Sequence, residues 1–136
     1  MDDILPGLND ALEAMNRGDV EPAVALLDPE VDWRGRPQGH LWWRHVPSCH
    51  GPDEARRNLE RQVDKGQATA GVKRFALEQV AQVGECVVVA GRWETADGSD
   101  DVGRFYQVLR VRGGLIVDIQ GCTSRRAAMA YARRAA

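Results

Sequence analysis

The sequence predicts an α+β domain in which helices pack against a long, largely antiparallel sheet. Three observations lead there. Apolar residues recur at helical spacing in three early stretches and one late stretch. Between them, from Val72 to Thr123, the chain reads as consecutive strands. The connections between these strands are also far shorter than the dozen or more residues that a parallel neighbour needs. Long curved strands with helices on their concave side enclose a pocket between the two layers.

Leu5, Leu8, Leu12 and Met15 lie three and four residues apart and share one helical face. Asp2 and Asp3 sit where the helix dipole favours acids, and Gly18 ends the run. Asp19 caps a second short helix, with Val20, Val24 and Leu27 on one face until Pro29 stops it. Glu30 to Arg34 alternates as a strand, with Val31 and Trp33 on one side and Asp32 and Arg34 on the other. Gly35 to Gly51 holds three glycines and two prolines and reads as an irregular loop.

Pro52, Asp53 and Glu54 suit the first turn of a third helix, which Gly66 closes. Its inward stripe is Ala55, Leu59 and Val63, with Arg56, Arg57 and Arg61 largely outside it. Four strand-like runs follow: Val72–Val83, Glu85–Thr95, Gly103–Arg112 and Leu115–Thr123. Gly84, the polar stretch Ala96–Asp101 and the pair Gly113–Gly114 separate them. The run Val87 to Val89 is apolar at every position, so its strand is expected to be covered on both faces. Ser124 caps a last helix in which Ala127 to Tyr131 stand among Arg125, Arg126, Arg133 and Arg134.

The 136 residues fit one domain, residues 1–136, and a chain of this length buries roughly two-thirds of its unfolded surface without staples. No apolar run approaches the ~20 residues of a membrane span, and Met1 to Arg17 is acidic rather than signal-like. The net charge of -2 leaves no global footprint for nucleic acid. Charge is nevertheless uneven: residues 1–32 hold nine acids and one base, and the rest carries a net +6. An acidic first helix facing a basic surface, in the same chain or in a twin, follows from that asymmetry. The bias of 16 Arg against 2 Lys runs along the whole chain and reads as coding composition more readily than as an anion site. Cys49, Cys86 and Cys122 are odd in number with no paired spacing, which argues against a disulfide framework and fits a reducing cytoplasm.

Three stretches resemble the nuclear-transport-factor-2-like superfamily, in particular its SnoaL-like branch. They are Asp28 to Arg34 after two short helices, the helix opened by His50 to Ala55, and Arg104 to Asp118. The resemblance spans nearly the whole chain. It implies a cone-shaped, strongly curved mixed or antiparallel sheet with three to four helices around a deep pocket, of the cystatin-like class. It also implies a homodimer formed through the outer sheet face. Relatives include steroid isomerases, epoxide hydrolases, dehydratases, polyketide cyclases and binding proteins with no known reaction, so the site must decide the function. Cyclases of this group tend to carry an acid–His–aromatic run in the last strand. Here Asp118-Ile119-Gln120 matches only the acid, and no acid pair of the epoxide-hydrolase kind is evident.

The densest polar cluster is His40, Trp42, Trp43, Arg44, His45, Cys49 and His50. In the implied fold this loop lies near the pocket mouth, where His45 or His50 would serve as a general acid/base; the alternative is a solvated loop capped by its Trp rings. The three histidines are five residues apart, a spacing that does not converge ligands in a helix or a strand, so no metal and no cofactor is expected. Trp33, Trp42, Trp43 and Trp93 would wall a site for an apolar ligand, or else simply pack the core. Strand parity sets Asp118, Gln120 and Cys122 on one face, and Tyr106 and Arg110 opposite Gln107 and Leu109, without saying which face lines the pocket. In an apolar pocket Asp118 would act as a base; paired with a neighbouring Arg it would be an ordinary surface carboxylate. Cys86 and Cys122 read as small core residues before nucleophiles.

Three functions are therefore in play. The first is a homodimeric pocket protein that binds a small, largely apolar metabolite, with Trp33, Trp42, Trp43, Trp93, Tyr106, Gln120 and Cys122 as ligand contacts. The second is an isomerase- or hydratase-type enzyme using His45, His50 or Asp118. The third is a non-catalytic accessory subunit using the outer sheet face. No nucleic acid and no membrane partner is expected.

Overall fold

The computed structural model describes residues 4–34, 48–68, 73–95 and 101–135. Ten elements run in the order α1 (Leu5–Asn16), α2 (Glu21–Val24), β1 (Leu27–Arg34), β2 (Cys49–His50), α3 (Gly51–Ala68), β3 (Lys73–Val83), β4 (Cys86–Thr95), β5 (Asp101–Arg112), β6 (Leu115–Cys122) and α4 (Arg125–Ala135). None of the described helices is long and apolar enough to cross a membrane.

Local signals act where the residues place them. Helix α1 starts with Pro6 in its first turn and ends where Gly18, at φ 92°, donates to Met15 O at 2.9 Å while Asp19 N–H reaches Ala14 O at 2.9 Å. That is a Schellman closure, and it needs the left-handed backbone that glycine adopts without penalty. The Asp19 carboxylate accepts from Glu21 N–H at 3.1 Å and so opens α2. The Ser124 hydroxyl accepts from Ala127 N–H at 3.1 Å at the start of α4. Gly113 and Gly114, at φ 57° and 77°, make the two-residue turn between β5 and β6 in the hand that matches strand twist.

Several boundaries differ from the sequence reading; β5, for one, begins at Asp101 rather than Gly103. Helix α2 is a single turn, and Leu27 to Pro29 belong to β1, which begins three residues before Glu30. Pro29 is tolerated there because pairing with β6 is irregular between Leu27 and Asp32, so its missing N–H breaks no ladder. Cys49–His50 forms a short strand on the edge of β1, not loop. Helix α3 passes through Gly66 to Ala68, since glycine costs only about 1 kcal/mol within a helix.

The six strands form one curved, unclosed sheet in the order β2-β1-β6-β5-β4-β3. Strands β3 to β6 are an antiparallel meander, and β1 joins the far end parallel to β6, which makes the sheet mixed. The inner face buries Val31 and Trp33 of β1, Val87 and Val89 of β4, Leu109 of β5 and Ile119 of β6 beneath α1, α2 and α3. The stripe of Ala55, Leu59 and Val63 on α3 is buried against it, at 0%, 7% and 8% exposure. Between Ile116 and Asp118 the register with β5 slips at a bulge, which lets both Ile116 and Ile119 reach the inner face.

Helix α4 lies on the opposite, outer face, whereas the sequence placed all helices on one. Ala128 and Ala132, both fully buried, let its backbone approach Cys86, Val88, Val108 and Cys122 closely. This second core explains the unbroken Val87–Val88–Val89 run: the middle valine faces α4 and the flanking two face the cavity side. A twin chain approaching this part of the outer face meets α4 and its exposed Arg125, Arg126, Arg133 and Arg134 rather than bare strands.

Candidate functional site

Between the helices and the inner sheet face lies a half-open cavity of about 100 Å³. The sheet side is built by Trp33, Leu77, Gln107, Leu109, Ile116 and Ile119. Alternation brings these residues to one face, and the bulge in β6 restores it for Ile116. On the helix side, Leu8, Ala11, Leu12 and Met15 of α1 are neighbours on one stripe, joined by Leu59 of α3 and by Ala23 and Leu26 around α2. A second hollow, about 70 Å³, sits at the β3–β4 edge between Glu78 and Arg92. It is smaller and flanked by charges, so the inner cavity is the better-formed site for an apolar ligand.

Among the described residues, one lining side chain is polar. Gln107, half-buried on β5, is in register with Val89 on one side and Gly121 on the other. Sequence parity had already set Gln107 opposite Tyr106. The signal that could have singled it out is an amide among the inward positions Val87, Val89, Leu109 and Ile119. Among the described residues, no lining side chain is titratable.

The charged candidates occupy the other face. Asp118, 7% exposed, accepts from Arg34 Nη2 at 2.7 Å and from the Tyr131 hydroxyl at 3.2 Å. Arg34 Nη2 also donates to Tyr131 Oη at 2.6 Å, and Arg34 Nε to Gln120 Oε1 at 2.7 Å. Arg34 and Gln120 stand side by side in the parallel β1–β6 ladder, as do Asp32 and Asp118. This network ties α4 to β1 and β6. Burial first, then the Asp118 charge, push the Tyr131 hydroxyl up, so it stays protonated and donates. Tyr106 and Cys122 pack beside it in the α4 core. Of the ligand contacts read from the sequence, Trp33 lines the cavity, whereas Tyr106, Gln120 and Cys122 lie on the α4 side.

His50 also faces outward, across the β1–β2 pair from Asp32, while Trp33 and Cys49 face in. Its Nδ1 is 2.7 Å from Asp32 Oδ1 and its Nε2 3.4 Å from Glu30 Oε2. The hydrogen bond and charge of Asp32, and after them Glu30, hold the imidazole above its ordinary value of 6.5. A raised folded-state value means the pair supports the fold fully below about pH 6.5 and stops doing so as pH rises through the raised value. An NMR titration of the His50 ring is expected to give a midpoint above 6.5 that falls in Asp32→Asn and shrinks in high salt, since the groups are exposed. A wild-type midpoint at or below 6.5 would show the pairing absent in solution.

His40, Trp42, Trp43 and His45 lie outside the described residues, as does the side chain of Trp93. Cys49, Cys86 and Cys122 are buried free thiols, and burial pushes each of them up, away from the thiolate a nucleophile needs. Among the described residues, no group of three His, Cys, Asp or Glu side chains converges to hold a metal ion.

The model of the SnoaL-like domain matches residues 8–119, which takes in every element that lines the cavity. Among solved structures, an NTF2-like protein of unknown function from Burkholderia pseudomallei shares 27% identity, with 89% of this chain and 90% of that one covered at a TM-score of 0.62. TerC, co-crystallised with polyporic acid, is 17% identical over 95% of this chain and 97% of its own, with a TM-score of 0.64. An NTF2-like protein of unknown function from Mesorhizobium loti is 19% identical over 91% and 96%, with a TM-score of 0.62. No curated protein matches the sequence.

Proposed function

The chain belongs to the SnoaL-like family, and from that premise we propose that it binds a small, largely apolar molecule in the cavity between α1, α3 and the inner sheet face. The observation that carries this reading is the lining: among the described residues it is aliphatic or aromatic throughout except for the amide of Gln107. Burial of an apolar ligand against such walls is favourable by roughly 25 cal/mol per Å² removed from water. Size narrows the class. About 100 Å³ is below the roughly 300–1,000 Å³ of pockets for drug-sized ligands and nearer the roughly 150 Å³ that accepts benzene. A single ring or a short branched chain matches that space. The co-crystallisation of TerC with polyporic acid supports a small organic occupant for a fold of this kind.

Binding is favoured over proton transfer because the described acid/base candidates, His50 and Asp118, point away from this cavity and are engaged by Asp32 and Arg34. The test is a titration of benzene into methyl-labelled protein, followed by NMR. Shifts are expected at methyls of Leu8, Leu109 and Ile119. Ala23→Phe, which fills the space from the α2 side, is expected to abolish them while leaving the fold intact. Shifts spread over other surfaces, or binding that survives Ala23→Phe unchanged, would sink the reading.

A further inference from the structure

We infer that the occupant of this cavity is neutral and carries one hydrogen-bonding oxygen, a hydroxyl or a carbonyl, which the side-chain amide of Gln107 reads. The inference rests on the pocket reading above and adds the chemistry of the ligand's polar end. Gln107 projects from the middle of β5 into an otherwise apolar wall, with Leu109 two residues along the same face. Its register partners on that face are Val89 and Gly121, and neither offers a side-chain hydrogen bond. Gly121 brings no side chain at all, so nothing from its register position on β6 engages the amide.

A glutamine amide has two N–H donors and a carbonyl oxygen that accepts twice. An amide of this kind that no protein group engages is satisfied by water. A purely apolar ligand displaces that water and strands the amide, which weakens binding by roughly five- to hundredfold relative to a ligand that replaces the bond. Because the amide both donates and accepts, a hydroxyl or a carbonyl serves equally. A charged ligand is rejected for a different reason. Among the described residues the lining holds no charge, so none of them would serve a buried carboxylate as a counter-ion. Gln107 is thus a specificity-determining position: the walls set size, and the amide selects for one neutral oxygen.

Benzene, phenol and benzoate separate the terms, being one ring with nothing, a hydroxyl or a charge attached. Phenol is less hydrophobic than benzene, so burial alone ranks benzene first. Calorimetric titration of the full chain is expected to rank phenol tighter than benzene by about tenfold, with benzoate not binding. Gln107→Leu is expected to erase or invert that preference while benzene still binds. In the wild type, the side-chain ¹⁵N–H resonances of Gln107 are expected to move with phenol and not with benzene, a readout independent of whether the variant folds. Equal affinity for phenol and benzene, or a preference that persists in Gln107→Leu, would overturn the inference and leave the pocket reading standing. If neither phenol nor benzene shifts the cavity methyls, the pocket reading falls and this inference falls with it.

Discussion

Trp33→Ala is expected to lower the stability of the fold by about 3–5 kcal/mol, the range for removing a buried aromatic side chain from a core. The indole is 8% exposed and sits where three parts of the structure meet: β1, its edge partner Cys49, and the cavity wall. Truncation both forfeits its transfer free energy and leaves a void that a curved sheet held by parallel pairing to β6 collapses onto poorly. In a domain of this size that corresponds to a fall in Tm on the order of 10 °C or more. Urea unfolding followed by circular dichroism measures it. A loss under about 1 kcal/mol would show that the ring is not packed against the core. The same variant enlarges the cavity, so the fraction that folds is expected to accept a two-ring ligand such as naphthalene.

The second large effect is expected on the other face. Asp118→Ala removes the acceptor shared by Arg34 and Tyr131 and leaves the Arg34 guanidinium without its counter-ion, held only by Gln120 and Tyr131. Breaking a fully buried pair costs about 3–5 kcal/mol, but the Arg34 side chain is 39% exposed and water recovers part of its solvation. About 2 kcal/mol is the corresponding expectation. Much of it is predicted to act through α4, so amide exchange at Ala128 and Ala132 should accelerate more than exchange in α1. A double-mutant cycle with Arg34→Met separates network from packing. If the two substitutions are additive within about 0.5 kcal/mol, the ion pair is not coupled and the network account fails.

These two residues also show how far the sequence could be read. Trp33 was placed correctly by alternation alone, because Val31 and Trp33 on one side of a strand and Asp32 and Arg34 on the other admit only one sensible inner face. Asp118 could be assigned a face-mate, Gln120, but not a face. Its strand carries Ile119 and Gly121 on one face and Asp118 and Gln120 on the other, and the acid lies on the side covered by α4. Gln107 was legible as the opposite of Tyr106, and only the fold shows that the described inner-face positions around it, Val89, Leu109 and Ile119, are apolar. The cluster of histidines and tryptophans drew the most attention in the sequence, yet its described member, His50, faces outward with two carboxylates.

What the residues determined by themselves are the periodic, local things: the helices, the four-strand meander, the caps and turns at Gly18, Ser124 and Gly113–Gly114, and the parity of each strand. These follow from backbone sterics and spacings of two to four residues. For β5 and β6, the tertiary structure alone decided which parity faces the cavity. That choice depends on contacts between residues more than 80 positions apart, namely β1 lying parallel to β6, and Arg34 meeting Asp118 and Tyr131. It depends also on a bulge that changes the face of β6 between Ile116 and Asp118. A one-residue bulge reverses every later side chain in a strand, and no local pattern in Leu115 to Cys122 announces it.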